Sequence, residues 1–371
     1  MHWTSSHGHG QAAQRRGRSC CARRLLGPLL AALAMACGAA ENAAPHHPRL
    51  HLECHGRGSP AVILDAGLGG SSLEWVYVVE RLRKLTRVCT YDRAGYGQSE
   101  MGPAPRTSSR IANELYLLLE DSDVPPPYVL AGHSFGGYNM QLFARRYPYL
   151  SAGLVLVDAS HPDQVDRFLA PPLGLLTAPS SRYGIVRFSE PPPPHELLPE
   201  PVRRAIRKRA GRWKTRRTLG NELLGFRDSA LELKAAPPLG TLPLVVVTRG
   251  IPRGPIDAKR PLIEQLWLEL QSELAAGSTA SAHLVARRAG HNVHVEQPAV
   301  VAYGIALLVE RYRRQRGVGG SAFVRGIAAR FPLEDATWLH DSLSLHPADE
   351  PAHIARTPAA VAGPVLGDGA P

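Results

Sequence analysis

From residue 50 to about residue 314 the chain alternates short apolar runs with helical patterns, and this alternation constrains its fold more than any other feature. Short runs rich in valine, isoleucine and leucine fit strands covered on both faces, and helices between them argue for a mostly parallel sheet. Ala61-Val62-Ile63-Leu64-Asp65 reads as one strand, ended by the glycine-rich Ala66-Gly67-Leu68-Gly69-Gly70. Arg87-Val88-Cys89-Thr90-Tyr91 is the next, stopped by Asp92-Arg93-Ala94-Gly95-Tyr96-Gly97. A helix is expected over Ser108 to Leu119, and a third strand at Tyr128 to Ala131 runs into Gly132-His133-Ser134-Phe135-Gly136-Gly137 and a further helix. Leu154 to Val157, closed by Asp158, is the fourth. After a gap, strands return at Leu242 to Val247 and His283 to Ala286. Between these two lies a helix with Leu262, Leu266, Leu270 and Leu274 at four-residue spacing, and a last helix starts near Gln297-Pro298.

The gap, residues 161–238, is rich in proline and cations (Pro191 to Pro194; Arg203, Arg204, Arg207, Lys208, Arg209, Arg212), as a helical cap inserted over a sheet edge would be. Beyond Gly317 the chain turns Gly, Ala and Pro rich with no sheet signal. The expected organisation is an export leader over 1–40, a core in two parts over 41–160 and 239–316, the cap over 161–238, and a loosely attached tail over 317–371.

The leader carries a basic stretch from Arg15 to Arg24 and then an apolar run from Leu25 to Cys37. The run is shorter than the ~20 residues a spanning helix needs, and its charge order is that of a secretory signal. Leu33-Ala34-Met35-Ala36-Cys37 resembles a loosened bacterial lipobox, which implies lipidation of Cys37; simple cleavage after a small residue is the alternative. The net charge is +11, of which five units are leader arginines, and no nucleic-acid-binding motif accompanies the rest. Nucleic acid is not an expected partner. A membrane surface is one, through a lipidated Cys37 or through contact of the basic cap with anionic lipid, although cationic helices are also commonly no more than solvated faces.

Gly132-His133-Ser134-Phe135-Gly136 has the G-x-S-x-G form of a nucleophile held on a sharp strand-to-helix turn. Side chains two residues either side of such a serine would collide, so glycine stands at both places. The helix that follows points its first N–H groups at the hydroxyl, where an oxyanion could form. No metal cluster, P-loop or dinucleotide fingerprint appears, so no cofactor is expected.

From about residue 50 to 314 the chain resembles the α/β-hydrolase family. The matching segments are Gly67-Leu68-Gly69-Gly70 with Trp75, Tyr91 to Ser99 (YDRAGYGQS), the turn at Ser134, Val157-Asp158-Ala159-Ser160-His161-Pro162, and Gly290-His291 followed by Gln297-Pro298. The resemblance implies an α/β fold with a mostly parallel eight-stranded sheet, flanking helices and an inserted helical cap. It makes Leu50 to Cys54 the second strand, beside the strand of Cys89, and so implies a Cys54–Cys89 disulfide. It also implies Ser134 as nucleophile, His291 as general base, and an oxyanion hole from the N–H groups of Phe135 and Leu68. His133 is read as a packing residue and His294 as a helix-approach or core residue. Most members carry the third residue, an acid that orients the imidazole, after the seventh strand. Here Asp257 lies rather far beyond that strand, whereas Asp158 ends the sixth; Asp158 is favoured and Asp257 is the alternative.

A serine at this turn disfavours the epoxide hydrolases and dehalogenases of the fold, which use aspartate. The expectation is an exported serine hydrolase acting on a small-molecule carboxylic ester. Thioesterase, amidase, peptidase or cofactor-free haloperoxidase-like chemistry on the same residues, or a non-catalytic binding protein on this scaffold, are the alternatives.

Overall fold

In a computed structural model of the chain, residues 47–170, 191–253, 257–317 and 336–343 are described. The expected leader with Cys37, residues 171–190 of the expected cap, and most of the expected tail lie outside them. Among the described residues the sheet has eight strands: β1 (His51–His55), β2 (Ala61–Asp65), β3 (Val88–Asp92), β4 (Tyr128–His133), β5 (Ser151–Val157), β6 (Leu244–Arg249), β7 (Ser281–Ala286) and β8 (Ala336–Asp341). Their order is β1-β3-β2-β4-β5-β6-β7-β8. The six central strands run parallel, while β1 and β8 close the two edges antiparallel.

The uninterrupted burial of β2, β3, β4 and β6 explains their unbroken apolar sequences, since helices cover both faces. Alternate residues serve opposite faces. Val62 and Leu64 pack with α1 (Val76–Leu82) and with α10 (Pro298–Gln315), through Val78, Leu82 and Ile305. Ile63 and Leu130 pack on the other face with α2 (Ser108–Glu120) and α3 (Phe135–Arg146), through Ile111, Leu115 and Phe143. Cys54 and Cys89 are directly opposed across β1 and β3 and are joined as a disulfide, their Cα atoms 4.0 Å apart.

Two expectations differ from what is observed. The tail was expected to contribute nothing to the sheet, yet Ala336–Asp341 forms β8, and Trp338 packs edge-on against Tyr303 of α10 at 6.1 Å. Its short Thr-Trp-Leu core is flanked by segments without any pattern, so a periodicity reading passes over it. The count of eight is therefore completed at the C-terminal edge, and β1, expected as the second strand, is the first among the described residues. In α8 (Arg260–Ala276) the buried side is Trp267, Leu270, Gln271 and Leu274, while Leu262 is 45% exposed. Residues spaced by four drift by about 40° per step around a helix of 3.6 residues per turn, so a line of leucines that long cannot stay on one face.

Between β5 and β6 come α4 (Gln164–Leu169), α5 (Glu200–Ala210), α6 (Trp213–Leu224) and α7 (Phe226–Ala235). Ile206 of α5 packs with Leu73, Val76 and Tyr77. Leu219 of α6 lies so close to Gly69 that a Cβ there would come within 3.3 Å of it. These helices thus rest on the loop after β2. No helix among the described residues is long and apolar enough to cross a membrane.

Candidate active site

Ser134 sits between β4 and α3 with φ 51° and ψ −120°, a region side chains rarely enter. The surrounding glycines make this possible. A Cβ on Gly132 would stand 2.4 Å from the Gly136 carbonyl oxygen, and one on Gly136 would stand 2.6 Å from those of Asp65 and Ala66. The turn is fastened from both sides: Ser134 N–H donates to Val157 (3.1 Å), while its carbonyl accepts from Gly137 (2.9 Å) and Ser160 (3.1 Å). Ser134 itself is half-buried, and α3 begins at the next residue, Phe135. The first amides of a helix have no intrahelical acceptor, so Phe135 N–H is available beside the hydroxyl.

The loop after β2 reaches the same place. A Cβ on Gly67 would lie 3.3 Å from Ser134 Cβ and 2.9 Å from His133 Nδ1, so only glycine lets this backbone approach the turn. Arg93, buried after β3, aims this loop. Its guanidinium donates to the carbonyls of Ala66 (2.7 Å) and Gly67 (2.9 Å), to Asp65 (2.8 Å), and bidentately to Glu222 of α6 (2.8 and 3.0 Å). Gly67 C=O and Leu68 N–H belong to one trans peptide and point opposite ways. Drawing the carbonyl toward Arg93 therefore turns Leu68 N–H away from it. The sequence singled out Leu68 and not the arginine that orients its amide.

His291 follows β7 in a loop that leads into the short α9 (Val293–Glu296) and is held by Gly290 N–H to Glu296 (2.8 Å) and Arg288 N–H to Gln297 (2.8 Å). Its Nδ1 lies 2.6 Å from Asp158 Oδ2. A carboxylate can only accept, so the proton is on Nδ1 and Nε2 carries the lone pair, the tautomer of a base. Burial lowers the His291 pKa, against the hydrogen bond and charge of Asp158. His133, the neighbour of Ser134, places its ring 4.6 Å from that of His291 and donates from Nε2 to the His291 carbonyl (2.9 Å). It fastens the histidine loop to the serine turn, a more specific task than the packing expected of it. His294 is fully buried against Trp75 and His133, and burial lowers its pKa to about 3, so it stays neutral as a core residue.

Asp158 is fully buried at the end of β5, itself at positive φ (41°). Besides His291, it accepts from Trp267 Nε1 (2.8 Å), from the Arg249 backbone N–H (3.1 Å) and from the Arg249 guanidinium (3.0 Å). Burial alone would raise its pKa; the Arg249 charge and these hydrogen bonds outweigh that and hold it at about 2. Arg249 in turn stacks over Trp267 (4.5 Å) and makes a second, bidentate pair with Glu264 (3.0 and 3.1 Å). Asp257 is elsewhere. It is exposed and accepts the Lys259 and Arg260 amides (3.0 and 3.1 Å) at the start of α8. The structure thus brings Asp158, and not Asp257, to His291. The clamp of Arg249, Trp267 and Glu264 had no sequence signal, since its members lie on a strand end and a helix that only folding unites.

Among the described residues, one His-carboxylate group could bring ligand atoms together for a metal: His161, Asp163 and Glu273. Asp163 and Glu273 are already paired with Lys234 and Arg167, so cations of the chain itself occupy them.

The description of the Alpha/beta hydrolase family matches residues 54–302. An uncharacterised protein of Bacillus subtilis (strain 168), YqjL, is 28% identical over 254 residues, 68% of this chain and 85% of that protein. Among solved structures, a thermophilic esterase from Thermogutta terrifontis superposes with a TM-score of 0.51 at 23% identity, over 73% of this chain and 96% of the esterase. The epoxide hydrolase CorEH gives a TM-score of 0.48 at 20% identity, over 69% of this chain and 92% of its own. With the strand order, the turn at Ser134 and a match spanning well over half its length, the chain belongs to the alpha/beta hydrolase family.

Proposed function

We propose that the protein is a serine hydrolase that cleaves carboxylic esters through an acyl-enzyme. The observation that carries this reading is the strained Ser134 between a helix N-terminus and a histidine loop whose imidazole is locked, by a 2.6 Å bond to Asp158, in the tautomer of a base. His291 Nε2 takes the Ser134 Oγ proton as that oxygen attacks the ester carbonyl. The N–H groups of Phe135 and Leu68 bind the tetrahedral oxyanion, each worth ~3 kcal/mol by comparison with other serine hydrolases. Protonated His291 then gives its proton to the departing alcohol, and water repeats the cycle on the acyl-serine, releasing the acid. With its pKa held at about 2, Asp158 stays a carboxylate throughout and stabilises the imidazolium. Arg249 and Trp267 act as positioning residues that hold Asp158 toward the histidine. The aspartate-based ester chemistry of epoxide hydrolases has no counterpart at Ser134.

Export is part of this reading, and the Cys54–Cys89 bridge is compatible with it, since disulfides persist mostly in oxidising compartments. Mass spectrometry of the mature N-terminus separates a lipidated Cys37 from plain cleavage.

A fluorophosphonate probe tests the chemistry. The wild-type chain is expected to label on one residue, and Ser134→Ala to lose the label while keeping its circular dichroism. Labelling that survives in Ser134→Ala, or a folded wild type that never labels, refutes the proposal. A p-nitrophenyl ester series then sets the acyl length.

A further inference from the structure

The helices α5 and α6 turn opposite faces to very different surroundings. Inward, Ile206, Thr215, Thr218, Leu219 and Glu222 are buried. Outward, Arg204, Arg207, Lys208 and Arg217 are exposed, and between residues 200 and 224 the single exposed acid is Glu200, which is already paired with Arg203 and Arg207. Along α6, Trp213, Arg217, Gly220 and Leu224 follow i, i+4, i+7 and i+11, one stripe on the outer side. Trp213 is 68% and Leu224 82% exposed, and a Cβ on Gly220 would meet nothing within 4 Å. The other three tryptophans among the described residues, Trp75, Trp267 and Trp338, are all buried. An exposed tryptophan is therefore the exception in this chain, and it stands among cations.

We infer that this outer face docks on an anionic phospholipid surface. A nucleic-acid site sets several aromatics along a groove for base stacking. A protein interface gathers its apolar residues into a contiguous core. Here Trp213 and Leu224 are separated by about 16 Å of helix with cations between them. That spacing suits two side chains dipping separately into headgroups while arginine and lysine meet the phosphates. The other side of α6 carries Leu219, which lies against Gly69, and Glu222, which holds Arg93. Docking would thus set the Leu68 loop about one helix diameter, ~10 Å, from the lipid.

The full-length chain is tested for co-sedimentation with vesicles of phosphatidylcholine alone and of phosphatidylcholine with about 30 mol% phosphatidylglycerol, the anionic content that should attract a polybasic face. The expected result is selective binding to the anionic vesicles, lost in about 0.5 M NaCl, with a blue shift of tryptophan emission that Trp213→Phe abolishes. Reversing Arg204, Lys208 and Arg217 together to Glu should weaken partitioning about a hundredfold or more. Hydrolysis of a soluble ester should be unchanged in that variant, which shows that it is folded. Equal binding to both vesicle types points to an anchor at Cys37 instead and overturns the inference. So do full retention of binding in the triple variant, and binding to an oligonucleotide without binding to vesicles.

Discussion

Replacing Asp158 by asparagine changes one atom and sets a definable conflict. Oδ1 faces the Arg249 backbone N–H and Trp267 Nε1–H, two groups that can only donate. Oδ2 faces the Arg249 guanidinium, again a donor, and His291 Nδ1, which can exchange roles by changing tautomer. An amide NH2 on the first side meets two obligate donors; on the second it meets one. Each buried donor left without an acceptor costs about 1–3 kcal/mol, so the NH2 turns toward His291. Nδ1 then must accept, the proton moves to Nε2, and the imidazole can no longer take the proton of Ser134. By comparison with the same change in serine proteases, kcat is expected to fall about 10⁴-fold, roughly 5.5 kcal/mol of barrier. The assay is initial-rate hydrolysis of a p-nitrophenyl ester at neutral pH, with circular dichroism to establish folding. Asp257→Asn, an exposed change at the start of α8, should stay within about twofold, as surface changes do. A folded Asp158→Asn that keeps more than about a tenth of wild-type kcat refutes the tautomer argument.

Four further expectations follow from the geometry. His291 must be neutral to act, so kcat/KM should rise with pH through its pKa; burial depresses that pKa, which places the acidic limb below the ordinary ~6.5. Arg249→Met removes a cation bonded to Asp158, so the carboxylate then favours the imidazolium more strongly and the limb should move up by about one pH unit; a loss of kcat with no shift of the limb would mean Arg249 only supports the fold. Arg93→Met strands Asp65 and Glu222 as buried acids, which should cost about 3–5 kcal/mol in urea unfolding and lower kcat more than it raises KM; a stable, fully active variant contradicts the role given to it. Opening the Cys54–Cys89 bridge frees a loop of sequence separation 35, and the double Ser variant should lose about 4 kcal/mol of stability by chain entropy, with little effect on kcat at low temperature.

Local chemistry made the central site legible. The glycines beside Ser134 and the position of His291 after a strand can be read from neighbouring residues, and Asp158 could be preferred because it ends a strand adjacent to the one that leads into Ser134. What escaped depends on distant segments meeting. Arg249 reads as an ordinary strand end, and its pairing with Asp158 and Glu264 joins residues 91 and 15 positions apart. β8 escaped for another reason: an edge strand half open to solvent needs no strong apolar pattern, and its sequence has none. The line of leucines in α8 misled because four-residue spacing resembles helical periodicity without equalling it.

The guanidinium of Arg93 makes the cap and the chemistry inseparable. It grips a helix inserted between two strands with one edge and, with the other, the peptide that would steady a developing negative charge. Segments inserted at such a place are often regarded as exchangeable parts that alter which molecules enter. In this chain, a transplanted segment lacking an acid where Glu222 stands would leave a cation stranded beneath it and disturb turnover itself. Swapping that segment for another to change selectivity therefore has to begin with the anchor.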